Sequence, residues 1–121
     1  MLFKTPADTH RAYERFLKKH NFRKAYKCLE SLLHQFPGDE SLLVDIVNLA
    51  YFNWGSYEMA RPWLLQLTRM RSLWQDYALL SRGEAQAGNI RQARDYLGKA
   101  KEVFEKRATL SDKREAKATF S

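Results

Sequence analysis

Asn21-Phe22-Arg23-Lys24-Ala25-Tyr26-Lys27-Cys28-Leu29 is the stretch on which the fold turns, because its skeleton recurs twice. A capping residue, a bulky apolar residue, an alanine and then a leucine return as Ser56-Tyr57-x-x-Ala60-x-x-x-Leu64 and as Asn89-Ile90-x-x-Ala93-x-x-x-Leu97. Ala25 and Ala60 stand 35 residues apart, Ala60 and Ala93 33. Self-similarity at such a period marks a repeat architecture, in which each unit buries its apolar face against its neighbours.

Each element of the pattern has a physical task. Asn21, Ser56 and Asn89 can accept hydrogen bonds from free backbone N–H groups and so start a helix. His20, Gly55 and Gly88 stand where the preceding helix must end, and glycine takes the left-handed conformation there at little cost. Each unit therefore reads as helix, tight turn, helix. Ala25, Ala60 and Ala93 let two helices approach closely. Phe22, Tyr57 and Ile90 plug the turn, and Leu29, Leu64 and Leu97 continue the stripe one turn later. The facing helix supplies Ala12 and Phe16, Val47 and Tyr51, and Leu80 at matching distances, with Glu84 breaking the pattern in the third unit.

Thr5-Pro6-Ala7-Asp8 offers an N-cap followed by proline at the first helical position, and Pro37-Gly38-Asp39 ends one hairpin and caps the next helix. Helices are expected near 6–19, 22–36, 40–54, 56–71, 73–87 and 89–107. Pro62 inside the fourth predicts a bend, and Gly83 and Gly98 are read as close-packing points. The repeats run over about 6–39, 41–73 and 74–107 of a single domain. Residues 108–121, with Ser111 as a cap, read as a short charged capping helix or a tail. The alternative is an ordinary six-helix bundle.

On these residues the chain resembles the tetratricopeptide repeat family, whose unit is a 34-residue helix hairpin, and the resemblance covers Pro6 to about Arg107. Where the family favours tryptophan early in the first helix this sequence has Thr9, Val44 and Tyr77; where it favours glycine it has Tyr13, Asn48 and Ser81. Ser72 and Glu105 replace the closing prolines of the second and third units. The resemblance implies an all-α fold, a right-handed α-solenoid of three helix-turn-helix hairpins with a concave side built from the first helices.

The resemblance also implies a groove that binds another protein, as in adaptors, scaffolds or secretion-type chaperones. By that analogy the lining is His10, Glu14, Leu17 and Lys18, then Asp45, Leu49, Phe52 and Asn53, then Gln75, Ala78, Arg82 and Gln86. Leu49 and Phe52 are the expected apolar anchors, because the helix from Leu42 to Phe52 is apolar nearly all round. Glu14, Asp45 and Arg82 would orient the bound segment, which is expected to be extended or helical. The family's lysine and asparagine carboxylate clamp is missing: its matching places include His10, Glu14, Ile46, Gln75 and Leu79.

Chemistry other than binding has little support. His10 and Glu14 are four apart on a helix but no third ligand is spaced nearby, so no metal is expected. The five glycines are scattered and form no phosphate-cradling loop, and neither Cys28 nor any serine has a recognisable base partner. No enzyme activity and no cofactor are expected. The single cysteine agrees with a reducing compartment, and the absence of a signal-peptide pattern at Met1–Pro6 makes the cytoplasm the expected location. The longest apolar stretch, from Leu42 to Phe52, is interrupted by Asp45 and Asn48 and falls short of the ~20 residues of a membrane span.

The net charge of +7 suits an acidic partner or nucleic acid. Nucleic-acid binding is accordingly the alternative function, with Arg23, Lys24, Lys27, Arg91, Arg94, Lys99 and Lys101 on the second helices as its basis. Trp54, Trp63 and Trp74 fall near helix junctions as packing residues, and an exposed one would mark self-association.

Overall fold

A computed structural model describes residues 5–107, which form six α-helices. They are α1 (Pro6–Lys18), α2 (Phe22–Gln35), α3 (Glu40–Asn48), α4 (Tyr57–Arg71), α5 (Trp74–Gln86) and α6 (Ile90–Arg107). A π-helical turn, Leu49–Asn53, continues α3. The helices pack as hairpins, α1 with α2, α3 with α4 and α5 with α6. There is no strand among the described residues. Residues 108–121, assigned from sequence to a capping helix or tail, lie outside them. The described residues gather in two compact units that divide after Leu67, inside α4.

Four of the expected caps, Thr5, Asn21, Asp39 and Ser56, are in place. Thr5 Oγ1 accepts from Asp8 N–H at 3.1 Å, Asn21 Oδ1 from Lys24 N–H at 3.3 Å, Asp39 Oδ1 from Leu42 N–H at 3.1 Å and Ser56 Oγ from Met59 N–H at 3.3 Å. Each satisfies one of the N–H groups that a helix start leaves without an intrahelical partner.

The three turns share a left-handed residue. His20, Gly55 and Gly88 have φ of 57°, 70° and 87°. At the first, His20 N–H donates to Leu17 C=O (3.1 Å) and Asn21 N–H to Phe16 C=O (2.8 Å); at the third, Gly88 N–H donates to Ala85 C=O (3.1 Å) and Asn89 N–H to Glu84 C=O (2.8 Å). That paired pattern closes a helix whose next residue is left-handed. Nothing lies within 4 Å of a Cβ built on Gly88, so only backbone conformation separates glycine from alanine there. Gly88→Ala is expected to cost about 1 kcal/mol, and His20→Gly to add a similar or smaller amount. Urea denaturation of the two variants checks this; equal midpoints for Gly88→Ala and the parent would show that the turn does not need the left-handed residue.

The second turn is wider. Trp54 N–H reaches back five residues to Leu49 C=O (2.8 Å) and Ser56 N–H reaches six, to Ala50 C=O (2.8 Å). The helix-plus-turn lengths explain it. Sixteen residues separate Thr5 from Asn21 and Leu73 from Asn89, whereas seventeen separate Asp39 from Ser56. The extra residue is absorbed as a π turn, the usual way an α-helix accommodates an insertion without losing its ladder.

Unit 1 has its core where the repeat pattern put it. Ala12, Ala25, Leu29, Val47, Ala60 and Leu64 are buried, together with Leu43 and Ile46. Tyr26 joins α2 to α4, donating to Met59 C=O (3.2 Å) while accepting from Trp63 Nε1–H (2.7 Å). In unit 2, Trp74, Ala100 and Val103 form a core against which Tyr77, Ala78 and Phe104 pack, and the Trp74 and Phe104 rings meet edge to face at 5.8 Å. Ser81 Oγ donates to Ala93 C=O at 2.7 Å, drawing α5 against α6 at the small residue.

Two expectations fail in detail. Ile90 is 52% exposed and plugs no turn. Gly98 has open space where a Cβ would stand, so it is not a close-packing point. Glu84, which interrupts the apolar stripe, is nevertheless buried at 2%. Its Oε2 accepts from Asn89 Nδ2 at 2.7 Å, which lets a carboxylate occupy an apolar position because a hydrogen bond replaces part of its lost hydration.

Candidate functional site

In unit 1, α1 and α3 present His10, Glu14, Leu17, Asp45, Phe52 and Asn53 at least partly to solvent. His10 Nδ1 lies 3.2 Å from Glu14 Oε1, four residues on, and the His10 ring tilts against Tyr13 with centroids 5.7 Å apart. Asp45, half-buried, is the neighbouring charge. Burial pushes its carboxyl above the usual range; His10 opposes that and Asp39 adds to it. Burial likewise raises the Tyr13 phenol, helped by the carboxylates of Asp45 and Glu14. Among the described residues the Asp45 side chain makes no hydrogen bond or ion pair.

Leu49 does not belong on this surface. It is 1% exposed and opens the π turn, packed against α2. The sequence reading placed Leu49 and Phe52 together as anchors. The structure separates them, with Leu49 in the core and Phe52 59% exposed. The Phe52 ring rests on Tyr51 (4.9 Å between centroids), which also meets Tyr57 edge to face at 6.2 Å. Phe52 therefore projects from a rigid aromatic base rather than from a mobile side-chain stem.

In unit 2, α5 exposes Arg82 and Gln86 and half-buries Ala78 beside the Trp74 cluster. Arg82 has no ion pair among the described residues. The tight pair of this unit is elsewhere. Arg71 Nε and Nη2 hold the two oxygens of Asp76 at 2.7 and 2.8 Å. This forked bond ties the end of α4 to the first turn of α5.

A second surface in unit 1 was not read from the sequence. A cleft of about 930 Å³ runs over Lys27, Glu30, Leu33, His34, Pro37 and Trp63. A smaller one of about 190 Å³, sharing Lys27 and Glu30, adds Arg23, Tyr26, Trp54 and Met59. The signal available was the polar stripe Arg23, Lys27, Glu30, His34 on α2, which reads equally well as a solvated face.

Among the described residues no three His, Cys, Asp or Glu side chains come together as a metal site, and no helix is long and apolar enough to cross a membrane. Cys28 is buried and burial raises its thiol pKa, which suppresses the reactive thiolate. Trp63 and Trp74 are packing residues, through Tyr26 and Phe104 respectively, and Trp54 lies edge to face with Tyr26 at 5.7 Å. Comparison with protein-family models, curated proteins and solved structures found no match.

Proposed function

We propose that the chain is a non-catalytic interaction module of the tetratricopeptide type, three degenerate repeats forming a right-handed solenoid, that binds a segment of a partner protein on its first helices. The observation that carries this reading is Phe52, a large apolar ring left 59% exposed on a first helix. Among the described residues it is the most exposed of the large apolar side chains, and aromatic anchors ringed by polar groups dominate the energy of protein interfaces. Glu14, Asp45 and Asn53 supply polar groups on unit 1, and Arg82 and Gln86 on unit 2. The role that follows is that of a cytoplasmic adaptor, scaffold or secretion-type chaperone.

Phe52→Glu tests it. The substitution changes a surface position, so helicity by circular dichroism stays at the parent level, and proteins retained from the native host's lysate are lost. Undiminished capture by Phe52→Glu would refute the first-helix reading. Nuclease treatment and a second salt concentration address the alternative, nucleic-acid binding through exposed Arg91, Arg94 and Lys99. Retention of nucleic acid that falls steeply with salt, with no protein surviving nuclease, would replace the protein-binding reading.

A further inference from the structure

We propose that the cleft between α2 and α4 is a second docking surface, separate from the first-helix face, for an acidic protein segment carrying a large apolar side chain. Its two parts share Lys27 and Glu30 as lining residues. From Arg23 to His34 the lining follows one stripe of α2, about 16 Å at 1.5 Å per residue. That span matches about five residues of extended chain.

The apolar half of the occupant follows from the floor. Leu33 is buried beneath the cleft, and the only polar atom of the Trp63 ring, Nε1, already donates to Tyr26. Tyr26 in turn donates to Met59 C=O. What Trp63 presents to an occupant is its apolar ring, and an aromatic or branched aliphatic side chain is what such a ring binds. Gln66 Nε2, bonded to Pro37 C=O at 2.9 Å, braces the loop at that end.

The acidic half follows from charge. α2 carries Arg23, Lys24 and Lys27 near its start and no acidic residue in its first turn. Arg23 and Lys24 fall in that first turn, where cations oppose the positive end of the helix dipole. Lys24 lies over the Phe16 ring, 5.6 Å from its centroid. Arg23 and Lys27 have no ion pair among the described residues, although both line the cleft. A carboxylate brought by a partner would compensate charges that the fold itself leaves without an ion pair.

The test uses the full chain and three probes: a short synthetic peptide alternating glutamate with leucine and phenylalanine, an oligo-glutamate of equal length, and a single-stranded uridine oligonucleotide. The alternating peptide is expected to shift the indole N–H resonances of Trp54 and Trp63 and leave that of Trp74 in place. Arg23→Glu combined with Lys27→Glu weakens its binding at least about tenfold. Both substitutions are at exposed positions, and circular dichroism confirms that helicity is kept. Phe52→Glu binds the peptide as the parent does, so this surface and the first-helix face fail or stand independently. The inference is overturned if the Trp54 and Trp63 indoles do not move or the double variant binds unchanged. It is equally overturned if oligo-glutamate binds as tightly as the alternating peptide, or if the oligonucleotide shifts the same resonances more tightly.

Discussion

Arg71→Met lowers stability by about 3–5 kcal/mol, the usual consequence of removing one partner from a buried ion pair. Asp76 has a side chain only 3% exposed, while Arg71 is 24% exposed, so the deletion strands a carboxylate with little access to water. The two forked bonds, at 2.7 and 2.8 Å, are the geometry in which guanidinium and carboxylate bind most strongly. Burial makes the loss large, since an exposed pair of the same length contributes only about 0–1 kcal/mol.

Arg71→Met with Asp76→Leu is expected to recover most of the deficit, because replacing both charges with apolar groups leaves no unpaired one behind. Urea denaturation of the two single variants and the double variant measures the coupling. A loss below about 1 kcal/mol for Arg71→Met would mean that the pair behaves as a surface salt bridge, with the turn between α4 and α5 held by other contacts.

Leu49→Ala lowers stability by about 2–5 kcal/mol, the range for truncating a closed core leucine, whereas Phe52→Ala changes it by no more than about 0.5 kcal/mol. The two residues lie three positions apart in one π turn, yet one is 1% and the other 59% exposed. Removing the Leu49 isopropyl group leaves a void lined by close-packed neighbours, and its cost rises with how little they can collapse. Removing the Phe52 ring leaves water in its place. Equal losses for the two would show that Phe52 is also part of the core, which would remove the observation on which the first-helix binding surface rests.

The sequence by itself determined the elements that local chemistry controls. Thr5, Asn21, Asp39 and Ser56 were legible as caps because a short side chain can satisfy an N–H group only a few bonds away, whatever the rest of the molecule does. His20, Gly55 and Gly88 were legible as turns because the left-handed conformation is a property of one residue. With three copies of cap, turn and small residue in register, the hairpins followed, and with them the buried faces of Ala12, Ala25, Val47, Ala60 and Leu80.

Tertiary structure alone decided what depends on distant neighbours. That Leu49 turns inward while Phe52 stays out depends on which side of the turn packs on α2; the π turn itself has as its only trace in the sequence a helix-plus-turn length of seventeen residues instead of sixteen. Glu84 looks like a break in the stripe until Asn89 is seen to donate to it. The Tyr26–Trp63 bond joins residues 37 positions apart, and the cleft it floors exists only once α2 and α4 lie side by side. Caps and turns are settled within about one helical turn of chain. Burial, bond partners and clefts are settled by which surfaces meet, and that is decided only when the helices pack.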